Sequence, residues 1–194
     1  MASAFSMILD FGCGDGHRWD ENSDDVIGMD INLNRLSKAK SRILVVQCDG
    51  RFLPFRSCTF SSVISDSVLE HIRDYTRAVS EIRRVLDVGG TCKILQPVDN
   101  DPIFILARRV VRNWRGDRVY SYFTSGQLLR TLSIFFKLRS VCYLPNAPFA
   151  GMFGFFNRKT PRLLVRIDQF YGLICERLLI FHWKAIIREP VFPH

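Results

Sequence analysis

The stretch Ile8-Leu9-Asp10-Phe11-Gly12-Cys13-Gly14-Asp15-Gly16 decides the fold, because an apolar run breaks straight into three glycines at alternate positions directly after an acid. A short apolar run that stops at glycine reads as a buried strand ending in a tight turn. Glycine is wanted where the backbone takes positive φ or where a ligand presses against bare peptide groups. Taken alone, such a loop also occurs where an α/β connection merely has to turn.

Two later segments add weight. Val26-Ile27-Gly28-Met29-Asp30-Ile31 is a second apolar run ending in an acid, and Ile43-Leu44-Val45-Val46-Gln47-Cys48-Asp49-Gly50 is a third. Strands that all end in Asp place those carboxylates at one edge of a parallel sheet, where open α/β folds bind ligands.

With these residues in view, the chain resembles the class I S-adenosylmethionine (SAM)-dependent methyltransferases, within the broad small-molecule group that includes quinone methylases. The blocks that carry the resemblance are LDFGCGDG, GMDIN, CDGRFLPF, SDSVLEHI and EIRRVLDVGGTCKI, in family order over roughly the first half of the chain. The resemblance implies a Rossmann-like α/β fold with a seven-stranded, mostly parallel sheet in the order 3-2-1-4-5-7-6, its last strand antiparallel, and helices on both faces. It implies that the glycine loop, with Asp10, Gly12, Cys13, Gly14 and Gly16, lies against the methionine and ribose part of SAM. Asp30 is then expected at the ribose hydroxyls and Asp49 at the adenine amino group. Their neighbours Ile31 and Gly50 join the cofactor-binding set, and S-adenosylhomocysteine is the expected product.

Composition sets the frame. With 194 residues, 47% hydrophobic and 24% charged, the chain suits one globular domain. Its SAM-binding half is expected over 1–97 and a substrate-side half over 98–194, with an insertion at about 145–180. The first residues lack a basic region and a long apolar core, so no secretory signal is expected and the cytoplasm is the expected location. The apolar stretch 141–156 is interrupted by Pro145, Asn146 and Pro148 and falls short of the ~20 residues of a spanning helix. Six scattered cysteines form no C-x-x-C pair and no metal-ligand spacing, so no metal is expected; Cys13 reads as a compact filler inside the loop.

The formal charge of +8 points to an anionic partner: a membrane surface, an acidic substrate or, ranked behind these, a nucleic acid. It does not bear on oligomeric state.

Along the chain, residues 17–25 are polar and too few for an ordinary crossover helix, so a single turn or an irregular crossing is expected between strands one and two. Leu33, Leu36 and Ala39 recur at helical spacing. Residues 60–65 read as strand four, with Asp66 at its tip. Asp74 caps a helix whose apolar stripe is Tyr75, Val79, Ile82 and Leu86, with Arg73, Arg77, Arg83 and Arg84 in water and Gly89-Gly90 as its stop. Residues 91–96 give strand five. Beyond it a helix is expected over 101–116, a capping box at Thr124 and Gln127 opens another, and strands six and seven fall at 137–144 and 181–188.

Methyl transfer from a sulfonium is an in-line displacement in which alignment alone is worth ~7 to 11 kcal/mol. Asp66 is expected to face the sulfonium or the substrate, and ordinary loop capping is its other reading. His71 is the candidate base, helix-start packing being its alternative. Arg51 and Glu70 stand behind them. The arginines at 108, 112 and 115 beside Trp114, and Phe149, Met152, Phe153, Phe155 and Phe156 near Arg158, suit an apolar or lipid-linked acceptor at an anionic membrane surface. The same residues also suit a pocket lid with a solvated face.

Two rival functions are weighed. A nicotinamide dehydrogenase needs G-x-G-x-x-G, whose third glycine would fall on His17. A SAM-binding scaffold without turnover, acting through its basic surface on membrane or RNA, fits the shortened crossover.

Overall fold

The computed structural model describes residues 6–20, 23–98, 119–121, 123–139 and 141. In chain order they form β1 (Ile8–Phe11), β2 (Val26–Asp30), α1 (Leu33–Ala39), β3 (Leu44–Gln47), β4 (Phe60–Asp66), a 3-10 turn (Leu69–His71), α2 (Tyr75–Val85), β5 (Leu86–Leu95) and α3 (Ser125–Phe135). Among the described residues the sheet has five strands, all parallel, in the order β3-β2-β1-β4-β5. This is the first part of the expected order.

Of the expected sixth strand, residues 137–139 and 141 stand outside any strand, and the remainder lies outside the described residues. So do the seventh strand, the helix at 101–116 with its arginines, and the insertion.

Strand side chains alternate between two apolar layers, as the period of two requires. Leu9, Phe11, Phe60, Val63, Cys92 and Ile94 face the layer that also holds Val79 and Ile82 of α2 and Leu128 and Leu132 of α3. Val26 and Cys13 pack on the opposite layer with Leu36 and Ala39 of α1. Helices therefore cover both faces. Each fully buried Leu or Phe contributes about 1.5–3 kcal/mol.

The caps expected at Asp74 and Thr124 are present, and Asn32 adds one for α1. Asn32, Asp74 and Thr124 accept the backbone N–H of Arg35, Arg77 and Gln127 at 3.2, 3.0 and 3.3 Å. Thr124 N–H in turn donates to Gln127 Oε1 at 3.1 Å and closes the capping box.

Three details differ from expectation. Leu33, the first residue of α1, is 56% exposed, while Leu36 and Ala39 reach the core. Second, α2 stops at Val85, before the glycines. Leu86 turns extended and pairs with Phe60 in the sheet, and the helix carbonyls of Arg84 and Val85 accept from Cys58 and Thr59 N–H at 3.0 and 2.8 Å. Residues 87–90 then swing out before Thr91 rejoins opposite Ser62, so the two glycines serve an irregularity within β5.

The third correction is Arg84, which is held against the fold and not left in water. It bonds Phe55 O at 2.7 Å, Leu53 O at 3.0 Å and the Glu81 carboxylate. Among the described residues no helix is long and apolar enough to cross a membrane.

Candidate functional site

The C-terminal ends of β1, β2, β3 and β4 meet at one edge, which is why the glycine loop and the three strand-end acids converge. Gly12 N and Cys13 N donate to Met29 O at 2.8 and 2.9 Å, which folds the loop back onto β2. Gly12 and Gly14 have φ of +77° and +59°, a region that side chains rarely enter. A Cβ on Gly12 would collide with Val68 Cγ2, so the loop passes directly against the second residue after β4. A Cβ on Gly14 would meet nothing within 4 Å.

Asp30 faces that bare segment. Its Oδ2 accepts from Gly14 N at 3.0 Å and its Oδ1 from Asn32 N at 2.8 Å. Two fixed donors orient the carboxylate while lone pairs remain for hydroxyl groups.

Asp49 is held differently. Arg51 reaches both of its oxygens, with Nη2 to Oδ2 at 2.6 Å and Nε to Oδ1 at 3.0 Å, and the Arg51 N–H adds a bond of 2.9 Å. The side-chain bonds from Arg51 hold the Asp49 carboxyl below the usual carboxylate range, against a smaller opposing effect of burial.

Asp66, at the tip of β4, pairs with Arg18 Nη2 at 2.9 Å and accepts from Ser67 Oγ at 2.9 Å. Ser67 itself has φ of +57°. His71 lies on the 3-10 turn that follows, its Nε2 3.4 Å from Oε1 of buried Glu70.

These residues border a cavity of about 730 Å³, within the usual ~300–1,000 Å³ range of small-molecule sites. Of the expected site residues, Gly12, Asp30, Ile31, Asp49, Gly50, Asp66 and His71 form its wall. Asp10, Cys13, Gly14 and Gly16 are absent from the wall.

Asp10 lies beneath the crossover: it is 4% exposed and Trp19 Nε1 donates to its Oδ2 at 2.6 Å. Burial pushes its carboxyl above the ordinary value, opposed by the Trp19 bond and then the Arg18 charge. Burial also pushes the Cys13 thiol up to about 12, and the Cys48 thiol in the cavity wall to about 11. At neutral pH both are protonated, consistent with packing and not with nucleophilic chemistry.

The crossover is irregular across its described residues, and it contributes two contacts that sequence reasoning missed, Arg18 on Asp66 and Trp19 on Asp10. A tryptophan in a short polar connection was the available signal. The wall also includes Asn32, from the GMDIN block, and Arg35, Arg73 and Tyr120, which no motif singled out.

Residues 9–94 match the family model described as a methyltransferase domain. An uncharacterized protein, MJ0638, from Methanocaldococcus jannaschii is 38% identical over 85 residues, covering 43% of this chain and 37% of that protein. The chain spans well under half the length of the curated relatives it matches.

Among solved structures, the [4+2]-cyclase SpnF superposes with a TM-score of 0.66 at 19% identity, covering 98% of this chain and 77% of its own. A geranyl diphosphate methyltransferase in complex with SAM gives 0.65 at 15% identity, covering 96% and 78%. Likeness at these identities concerns the fold. Residues 9–94 are thus similar to methyltransferase domains, and the described sheet has the Rossmann-like fold of these solved structures.

Proposed function

We propose that the chain binds SAM along the glycine loop and transfers its methyl group to a small-molecule or lipid-linked acceptor entering from the β4 side. The observation that carries the reading is the bare, positive-φ backbone at Gly14 beside an Asp30 carboxylate oriented by two backbone donors. When bound, SAM supplies an electrophilic methyl on a sulfonium.

The residues present fit that group. Asp30 would accept from ribose hydroxyls, and Asp49, kept ionised by Arg51, would accept from the adenine amino group. Exposed Ile31 and packed Gly50 would border the adenine, while Gly12, Cys13, Gly14 and Gly16 give the loop its shape. Asp10 acts from beneath, through the loop it underlies. On the far side Asp66 and His71 face the acceptor, where His71 would take a proton if the acceptor must lose one. An anionic membrane surface is the proposed partner, supported by the net charge of +8, with the cytoplasm as the proposed location.

The test is calorimetric titration of the full chain with SAM and S-adenosylhomocysteine, using Asp30→Ala and Gly14→Val proteins shown to be folded. Both variants are expected to lose affinity by roughly tenfold or more, the scale of one or two charge-assisted hydrogen bonds. Affinity equal to the parent's in both would end the reading.

One observation favours a second reading. The Asp66 carboxylate, aimed at the acceptor side, already carries the Arg18 guanidinium, as suits a SAM-binding scaffold without turnover that acts on membrane or RNA. Tight cofactor binding with no methyl release from lysate fractions would select it.

A further inference from the structure

The charges around the cavity are unevenly satisfied. The wall holds three strand-end acids, and each is engaged: Asp30 by two backbone N–H groups, Asp49 by the Arg51 fork, Asp66 by Arg18. It also holds Arg35, Arg51 and Arg73. Arg51 is matched by Asp49. Arg73 has no carboxylate within 4.0 Å among the described residues, and its Cζ lies 5.3 Å from the centroid of the Tyr120 ring.

That cation–π contact holds the guanidinium against the ring without using its N–H donors in an ion pair, and such donors can bind a phosphate through two parallel bonds. The pair is also anchored. Tyr120 N and Ser121 N donate to Glu70 O at 2.8 and 3.2 Å, which ties this segment to the 3-10 turn bearing His71. Phe123 packs edge-on against Tyr75 with centroids 4.6 Å apart, fixing the segment to the start of α2. A guanidinium held this way loses little freedom on binding.

Its position completes the argument. Asp30 and Asp49 come from the end of β2 and the loop after β3, whereas Arg73 follows β4 and the turn bearing His71 in the chain and shares the cavity wall with Ser67, Val68 and His71. Resting on the donor reading above, we propose that Arg73 and Tyr120 form a phosphate-holding subsite for the acceptor. The acceptor is then a phosphate ester whose body stacks on or beside the Tyr120 ring.

The test uses the full chain saturated with S-adenosylhomocysteine, titrated with phenyl phosphate and, in parallel, with benzyl alcohol. Phenyl phosphate is expected to bind, benzyl alcohol to bind at least about tenfold more weakly, and Arg73→Gln to erase the difference while S-adenosylhomocysteine affinity is unchanged. Arg73→Lys should recover part of the preference, as a point charge without the fork. Tyr120→Phe should keep it, Tyr120→Ala should reduce it, and Lys38→Gln, an equal charge change in the last turn of α1, should leave it intact.

Flotation with phosphatidic acid vesicles against phosphatidylcholine vesicles separates the sources of phosphate. Flotation that needs Arg73 assigns a lipid phosphate. Phenyl phosphate binding that needs Arg73, without flotation, assigns a soluble one. Phenyl phosphate and vesicle binding both indifferent to Arg73→Gln overturn the subsite and leave the donor reading standing. A parent protein that ignores S-adenosylhomocysteine overturns the donor reading instead.

Discussion

Trp19 Nε1 lies 2.6 Å from Oδ2 of Asp10, so an indole from the crossover closes over the acid at the root of the glycine loop. Trp19→Phe keeps the packing and removes the donor from a buried carboxylate, a change that costs about 1–3 kcal/mol. Urea denaturation should register that loss.

Asp10 also gives the fold a pH dependence of definite sign. Its carboxyl pKa is raised by burial, so the folded chain holds the proton more tightly than the unfolded chain. The contribution favours folding in acid and fades as pH climbs through the ordinary carboxylate value toward the raised one. Asp10→Asn should therefore gain stability relative to the parent as pH rises through that window, and the difference should be flat above it. Denaturation midpoints taken from pH 3 to 7 check this.

Glu81 has the opposite sign. Its carboxylate accepts from Leu53 N at 2.9 Å and from Arg84 Nη2 at 2.8 Å, and the Arg84 bond is the largest cause of its lowered pKa. The stability it adds is present above the ordinary glutamate value and is lost as pH falls through the lowered one. Glu81→Gln should cost about 1–3 kcal/mol near neutrality, and the gap to the parent should narrow in acid.

Gly12→Ala should destabilise the chain through two separable causes. The Cβ would collide with Val68, and a left-handed φ costs an alanine roughly 1–2 kcal/mol. Val68→Ala in the same protein should remove the first cause and keep the second. Thermal melts of both proteins separate them.

Arg18→Gln should barely move stability, because an ion pair about one-third exposed contributes roughly 0–1 kcal/mol. The same melts apply, and a loss of several kcal/mol would show that the crossover holds the sheet edge together.

The parts of this molecule legible in its sequence are those where one residue type has one local reason. Alternate glycines after an apolar run, Asp74 before a helical stripe and the Thr124–Gln127 pair each specify their own geometry, and the first five strands follow from runs that end in acids or turns. Arg84 was illegible because helical periodicity gives its face without showing that residues 53–55 lie against that face. Leu86 matched the stripe, yet its pairing with Phe60 prevailed over the helix. The site divided in the same way. Asp30 and Asp49 stand beside turn signals, whereas Arg73 and Tyr120 are 47 positions apart and meet only through the Glu70 carbonyl and the packing of Phe123.

Residues 87–90, which bow out between Leu86 and Thr91, sit near the start of β4, at the far end of the strand from Asp66. Val88 is 68% exposed, and Gly89, with φ of +77°, has nothing within 4 Å of where a side chain would begin. That bow is a natural attachment point: a dye or affinity handle spliced in between Val88 and Gly89 would tether the protein by its back and leave the cleft unobstructed for ligands.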